Sequence, residues 1–181
     1  QNLVQGLPRR RIKVSCLAPY ESAVTESLRE AGACVYITTI PDEPQTRSIQ
    51  YLCELIRHEQ VDLLHAHLPR AHILAGLAGR LTNTPLAVTV HGMEITTHEL
   101  GIARLVGSHL VMVCQQAYAQ ALAVGVPASR LTLLPNGVNV QQFKPTTAKV
   151  DFRTRFKISQ RAPLVGYVAR FNWEKGPDLF V

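Results

Sequence analysis

The sequence has few cysteines, and no two of them form a C-x-x-C pair. All four are scattered along the chain, and each lies among apolar neighbours. This pattern predicts that Cys16, Cys34, Cys53 and Cys114 are buried, reduced thiols rather than ligands of a structural zinc ion. Reduced thiols favour a cytoplasmic location for the protein.

Aromatic residues and long apolar runs are also scarce. Phe, Trp and Tyr make up 6% of the chain and do not interleave with basic residues, so we expect no nucleic-acid partner. No apolar run approaches the roughly 20 residues that span a bilayer, so no transmembrane helix is predicted. Because the chain starts at Gln1 without a charged and then apolar leader, we interpret it as an internal piece of a longer protein.

Three glycine motifs of common catalytic and nucleotide sites are missing. No G-x-G-x-x-G follows a predicted strand, and no G-x-x-x-x-G-K-[ST] is present. The G-x-S-x-G turn that carries a hydrolase nucleophile is absent as well. A Rossmann dinucleotide site, a P-loop and a serine hydrolase are therefore not predicted.

Basic residues are in excess. The formal net charge is +6, and the basic residues concentrate at positions 9–11 and 144–161. This balance favours an anionic partner. A phosphorylated small molecule, an anionic membrane surface and nucleic acid all fit it, and the charge count does not choose among them.

The order of apolar segments predicts an α/β fold. Short strands with little polar alternation follow helical patterns in turn, which is typical of a Rossmann-like parallel sheet with helices on both faces. We predict strands at residues 11–17, 34–39, 61–65, 86–90, 110–113 and 131–134, and helices at residues 2–7, 21–31, 49–56, 69–81, 97–105 and 115–124.

The pattern changes after residue 138, and we place a domain boundary between residues 145 and 146. Residues 1–145 are predicted to form the first domain, and residues 146–181 a basic linker helix, at residues 150–157, and the incomplete start of a second domain. A strand at residues 164–168 would have no sheet of its own. We expect it to be disordered, packed on the first domain or exchanged with another chain.

Two cations lie between that strand and a helix that starts at Pro177. Arg170 and Lys175 beside a helix N-terminus would favour a phosphate or pyrophosphate, because the first backbone N–H groups of a helix are unpaired. The alternative is that both side chains are simply solvated.

Polar residues follow several strands of the first domain. Ligands of open parallel sheets bind beyond the carboxyl ends of the strands, where we expect His65, His67, His91 and Asn136. At His91 the following glycine, Gly92, would let a ligand approach the backbone. The alternatives are a histidine that caps a neighbouring carbonyl and a metal held by the three histidines, although no suitably spaced carboxylate joins them.

Four segments, in this order, resemble family-4 glycosyltransferases of the GT-B architecture. They are VDLLHAH at residues 61–67, TVHG at 89–92, LPNGVN with FKP at 134–139 and 143–145, and ARFNWEKG at 169–176. The resemblance implies two facing Rossmann-like domains, of which this chain holds the acceptor-side domain and the start of the donor-binding domain. It implies sugar transfer from a nucleotide-sugar donor to a lipid or saccharide acceptor, with retention of configuration and without a metal or other cofactor.

The resemblance also implies roles for individual residues. His91 matches a histidine beside the donor sugar and is the expected catalytic residue, while Arg170 and Lys175 match the pair that binds the donor pyrophosphate. Asn136 and Gly137 match a loop that faces the cleft. The family's glycine-rich first strand is expected before Asn2, and most of the donor domain is not in the sequence, so we expect the isolated chain to be inactive.

Two other functions stay open at this point. One is a GT-B relative that hydrolyses or epimerises a nucleotide sugar. The other is a noncatalytic Rossmann-like module that binds an anion or a partner protein. For either, the expected location is cytoplasmic, with peripheral contact to an anionic membrane as a further option.

Overall fold

The computed structural model describes residues 2–8, 11–141, 143–144 and 152–180. The chain divides into two compact units, Gln1–Gly137 and Val138–Val181. The boundary predicted between residues 145 and 146 lies outside the described residues.

The first unit alternates helices and strands along the chain, as the sequence predicts. Its elements are α1 (Asn2–Gly6), β1 (Ser15–Ala18), α2 (Ala23–Glu30), β2 (Cys34–Ile37), α3 (Thr46–Glu59), β3 (Leu64–His67), α4 (Pro69–Thr82), β4 (Leu86–Val90), α5 (Thr97–Val106), β5 (His109–Met112), α6 (Gln115–Ala123) and β6 (Leu131–Leu133). A 3-10 turn, Ala128–Arg130, leads into β6.

All of these strands pair in parallel, which confirms the predicted α/β class with parallel strands and flanking helices. They divide between two sheets, one with the order β1-β2 and one with the order β3-β4-β5-β6. Leu17 of β1 and Leu64 of β3 pack against the same apolar cluster, which α3 and α4 build. The two helices therefore cover strands of both sheets.

The core of the larger sheet lies around its two central strands. Val88 of β4 and Leu110 and Met112 of β5 are fully buried, and α6 contributes Ala117 and Ala121 to the same cluster. Strands that are covered by helices on both faces have no solvent side, which explains why these strands read as continuous apolar runs.

The helix α5 starts at Thr97, as predicted. Thr96 is its N-cap, and the Thr96 hydroxyl accepts a hydrogen bond from the Glu99 backbone N–H at 3.2 Å. The Glu99 carboxylate accepts in return from the Thr96 backbone N–H at 3.0 Å. This reciprocal capping box satisfies two backbone donors and fixes where β4's exit loop turns into the helix.

The second unit contains α7 (Phe152–Arg155), a 3-10 turn at Trp173–Lys175 and α8 (Pro177–Phe180). The helix start at Pro177 is confirmed, and α7 confirms the helix predicted at residues 150–157 over its central part, while residues 150 and 151 lie outside the described residues. The strand predicted at residues 164–168 is wrong, since these residues form neither strand nor helix. Within the described part of this unit there is no strand to pair with, and Val168 is fully exposed.

The prediction of four buried thiols is confirmed only in part. All four cysteines are free, but only Cys53 is buried, whereas Cys16 and Cys114 are half-buried and Cys34 is exposed. Cys34 opens β2, whose one described strand partner is β1. An apolar neighbourhood in the sequence could not indicate that this strand lies at a sheet edge. None of the helices in the described part of the chain is long and apolar enough to cross a membrane.

Candidate active site at the carboxyl ends of β3 and β4

The site begins with two histidines on one face of β3. Side chains two residues apart in a strand point the same way, so His65 and His67 lie together while Ala66 between them is buried on the opposite face. The parallel register places His67 opposite Thr89 of β4, and His91 follows that strand directly.

Two hydrogen bonds connect the strands at this point. His65 Nε2 lies 2.8 Å from Thr89 Oγ1, and His67 Nδ1 lies 2.9 Å from His91 Nε2. Each histidine of β3 thus reaches the residue two positions beyond its register partner, a diagonal contact that long side chains can make.

The rings also contact one another. The ring centroids of His65 and His67 are 4.4 Å apart with the rings tilted by 39°, and those of His67 and His91 are 5.2 Å apart and stacked, with an interplanar angle of 27°. We call these three imidazoles the histidine stack. The prediction that the three histidines lie at the carboxyl ends of neighbouring strands is confirmed by this geometry.

Two rings of the histidine stack, His65 and His67, favour the uncharged form. Desolvation, with the neighbouring imidazoles His65 and His91 adding to it, lowers the pKa of His67 to about 4. Desolvation also lowers the pKa of His65 below its ordinary value. At pH 7 both rings are neutral, so each offers one N–H donor and one nitrogen acceptor.

A metal ion is not indicated by this arrangement. Within the ranges that the structure describes, no group of three or more His, Cys, Asp or Glu side chains has the arrangement that could hold one. The absence of a metal from the reaction stays a prediction.

The residue after His67 has a strained backbone. Leu68 has φ 75° and ψ 151°, a region that is essentially restricted to glycine, where a side chain costs on the order of 1–3 kcal/mol. Pro69 follows as the first residue of α4, so the chain turns from strand to helix within two residues. Such strain persists only where the surroundings determine the conformation, and it clusters at functional sites. No sequence signal marks Leu68, because leucine is not a turn residue.

Gly92 has a local reason to be glycine. A Cβ atom at this position would lie 3.2 Å from the Glu94 carbonyl oxygen, since the loop folds back on itself after His91. The predicted ligand approach at Gly92 is a separate matter and stays a prediction.

Asn136 and Gly137 lie in an exposed stretch that follows β6. In the sheet, β5 separates β6 from β4, the strand that precedes His91. A Cβ atom added to Gly137 would meet nothing within 4 Å, so the backbone is open to solvent there.

Arg170 and Lys175 belong to the second unit, and both side chains are exposed. Arg170 Nη2 lies 3.9 Å from Glu174 Oε2, and both side chains are 77% exposed, so this ion pair contributes little stability. Lys175 ends the 3-10 turn, and its backbone carbonyl accepts a hydrogen bond from the Tyr167 hydroxyl. The four-residue helix α8 starts two residues later.

The sequence did not single out two residues that the structure brings to this region. Thr89 anchors His65, and Leu68 carries the strain beside His67. The sequence pattern could have indicated Thr89. In a parallel pair of strands, polar residues at similar distances from the two carboxyl ends lie close to each other.

The chain belongs to Glycosyltransferase Family 4, whose family model matches residues 1–142. This confirms the family expected from the four sequence segments. Solved structures, among them a glycosyltransferase, share the fold of the chain, which confirms the expected α/β fold.

Three proteins are examples of those similar to this chain. The Escherichia coli UDP-Gal:alpha-D-GlcNAc-diphosphoundecaprenol alpha-1,3-galactosyltransferase is 21% identical over 96% of this chain and 50% of its own length. A glycosyltransferase from Rickettsia africae has a TM-score of 0.67 at 14% identity, over 90% of this chain and 46% of that one. Anabaena Alr3699/HepE, crystallised with UDP-glucose, has a TM-score of 0.64 at 15% identity, over 80% of this chain and 42% of that one. The chain therefore spans about half the length of the relatives that it matches.

Proposed function

We propose that this chain supplies the acceptor-side part of a glycosyltransferase that moves a sugar from a nucleotide-sugar donor to a lipid-linked or saccharide acceptor. Membership of the family supports sugar transfer. The name of the Escherichia coli relative includes a UDP-sugar donor and a diphosphoundecaprenol acceptor, and the Anabaena protein was crystallised with UDP-glucose. These names support the donor and acceptor classes of the proposal.

The observation that carries the proposal is the histidine stack at the carboxyl ends of β3 and β4. Sugars present hydroxyl groups that both donate and accept hydrogen bonds, and neutral imidazoles match both roles. In the proposed reaction His91, which is exposed, touches the donor sugar and positions it. Asn136 and Gly137 are proposed to contact the donor through their exposed backbone.

Arg170 and Lys175 are proposed to bind the donor pyrophosphate. Transfer leaves negative charge on the departing nucleotide diphosphate, and preorganised cations stabilise such charge. With two cations in this role the reaction needs no metal ion. Retention of configuration at the transferred sugar is part of the same proposal.

The test uses the longest polypeptide that the reading frame encodes, together with the 181-residue chain by itself. Turnover is measured with UDP-sugars and a lipid-diphosphate acceptor. Arg170→Ala and Lys175→Ala should each lower kcat by about 100-fold, the range for removal of one group that stabilises developing charge. Arg161→Ala removes another exposed cation of the second unit and should leave kcat unchanged. Near-normal turnover in both Ala variants would refute their roles.

Product analysis separates transfer from the other functions. A glycoside formed only when acceptor is present, with the anomeric configuration of the donor, supports retaining transfer. Free sugar or an epimerised nucleotide sugar formed without acceptor would identify a hydrolase or an epimerase. No product, together with no binding of UDP-glucose by calorimetry, would favour a noncatalytic module.

We also propose a cytoplasmic protein that contacts anionic membranes at their surface, because the net charge is +6 and a lipid-linked acceptor lies in a membrane. Flotation with vesicles that contain 30% phosphatidylglycerol should carry the protein upward at low salt and not at high salt. Recovery of all protein in the bottom fraction at low salt would refute the membrane contact.

A further inference from the structure

His67 has no role of its own in the function proposed so far, yet it makes the hydrogen bond that holds His91. Among the described residues, His67 is the hydrogen-bond partner that the structure gives to the His91 ring. We propose that His67 is a positioning residue: its Nδ1 fixes the orientation and the tautomer of His91 and leaves His91 Nδ1 for the sugar. This inference rests on the proposed role of His91.

The first argument is that His67 is itself held in place. The His65 ring lies against it in a tilted contact at a centroid distance of 4.4 Å and is anchored by a 2.8 Å hydrogen bond to Thr89. The strained backbone of Leu68 turns the chain directly after His67. A residue that is restrained at its ring and next to its backbone can impose an orientation on its partner, because less conformational entropy remains to be lost.

The second argument concerns the protons of the two rings. A hydrogen bond between His67 Nδ1 and His91 Nε2 needs one proton, on one nitrogen or the other. If His91 carries it, His91 Nδ1 is an acceptor for a sugar hydroxyl; if His67 carries it, His91 Nδ1 is a donor to a sugar oxygen. In both cases the hydrogen bond at His91 Nε2 determines whether His91 Nδ1 donates or accepts. The low pKa of His67 supports this, because a neutral ring keeps an acceptor.

The two side-chain amides provide the matched variants. The amide of Asn occupies the region of a histidine Nδ1, whereas the amide of Gln reaches the region of Nε2. Since His67 uses Nδ1, His67→Asn should keep the bond to His91, and His67→Gln and His67→Leu should lose it. His109→Asn is the control, because His109 makes a similar cross-strand bond to Thr132 at the start of β5.

The first readout does not depend on activity. The ring nitrogens of the 181-residue chain are observed by 15N NMR, in which protonated and unprotonated imidazole nitrogens have well-separated shifts. The wild type and His67→Asn should show His91 in one tautomer, and His67→Leu should show averaged shifts. Unchanged His91 shifts in His67→Leu would overturn the inference. Unfolding midpoints of all variants, measured by circular dichroism, verify that they are folded.

The second readout is enzymatic turnover, measured with the longest polypeptide that the reading frame encodes. His67→Leu and His67→Gln should lower kcat by about 10- to 100-fold, the range for partners that orient ligating histidines, with little change in KM. His67→Asn should recover most of kcat, and His109→Asn should retain all of it. Equal loss in the Asn and Leu variants would overturn the positioning role.

A His91→Ala variant distinguishes the two proposals. If it keeps normal kcat, the proposed role of His91 fails, and so does positioning for catalysis. If it loses kcat while His67→Leu does not, the inference about His67 fails and the role of His91 stands.

Discussion

The buried histidine of α4 should make the first unit sensitive to mild acid. His72 is fully buried, its Nε2 lies 2.9 Å from Ser108 Oγ, and its Nδ1 has no hydrogen-bond partner among the described residues. Burial penalises the charged ring and lowers the pKa of His72 from 6.5 to about 4. The perturbation that tests this is His72→Gln, because the Gln amide can still reach Ser108 and does not titrate.

The sign and size of the effect follow from proton linkage. Between pH 6.5 and pH 4 the unfolded chain binds a proton at His72 that the folded chain does not, so stability is complete above pH 6.5 and falls as the pH is lowered. From these two pKa values, His72 alone should lower the free energy of unfolding by about 2 kcal/mol at pH 5 and about 3 kcal/mol at pH 4. His65 and His67 also have lowered pKa values and add to the loss in wild type and variant alike.

The assay is urea unfolding at pH 7.5 and pH 5.0, followed by far-UV circular dichroism. The single tryptophan, Trp173, lies in the second unit and is 84% exposed, so its fluorescence would not report on α4. His72→Gln should lose about 2 kcal/mol less than the wild type between the two pH values. The exposed His98→Gln is the control and should follow the wild type. Equal losses for His72→Gln and the wild type would refute the reasoning.

Two further predictions concern stability, measured by the same unfolding assay at pH 7.5. Gly79→Ala should destabilise the protein by about 1–3 kcal/mol, because the new Cβ would lie 2.8 Å from the Thr84 backbone carbonyl oxygen. Gly101→Ala should instead stabilise it by about 0.5–1 kcal/mol, because a Cβ at this position meets nothing within 4 Å. A change of the same sign in both variants would contradict the packing argument. Thr96→Ala should cost about 1 kcal/mol, because the capping box loses the hydroxyl that accepts from the Glu99 N–H; an unchanged midpoint would mean that the cap contributes nothing to α5.

Strand positions were predictable from the sequence where burial alone decides them. Residues 86–90 were predicted as a strand and are β4, whose apolar run is buried almost throughout. By contrast β3 was predicted at residues 61–65 and lies at Leu64–His67. Val61 belongs to the end of α3 instead, where its N–H donates to the Ile56 carbonyl at 3.0 Å and its side chain packs on the α3–α4 cluster. An apolar residue that follows a helix can pack against the end of that helix instead of belonging to a strand.

The candidate site was predictable as a set of residues but not as a geometry. The rule that ligands of parallel sheets bind at the carboxyl ends of strands correctly brought His65, His67 and His91 together. Which nitrogen meets which partner depends on the register of β3 against β4 and on the diagonal lean of the rings. Neither follows from spacing along the chain, and the strained backbone of Leu68 has no sequence signature at all.

The error at residues 164–168 has a different cause. The β-branched and aromatic composition of this segment is favourable for a strand, but a strand is stable only when its backbone groups pair with a neighbour. Leu164 is 50% exposed and Val165 is 75% exposed, which is the state of an apolar segment without a cover. Local β-propensity therefore indicated that the segment can form a strand. Whether it forms one depends on a neighbouring strand with which it can pair.

The kinds of polar group in the two units give a physical reason for the proposed roles. The imidazoles of the first unit lie in a stack that keeps His67 uncharged at pH 7, and a neutral group costs much less to remove from water than an ion when a sugar covers it. Arg170 and Lys175 are cations. They lose hydration when they bind a diphosphate, and charge-assisted hydrogen bonds to the diphosphate compensate for that loss. A neutral imidazole at position 170 would leave the charge of the diphosphate uncompensated. The chemistry of each group thus fits one part of a nucleotide sugar and not the other.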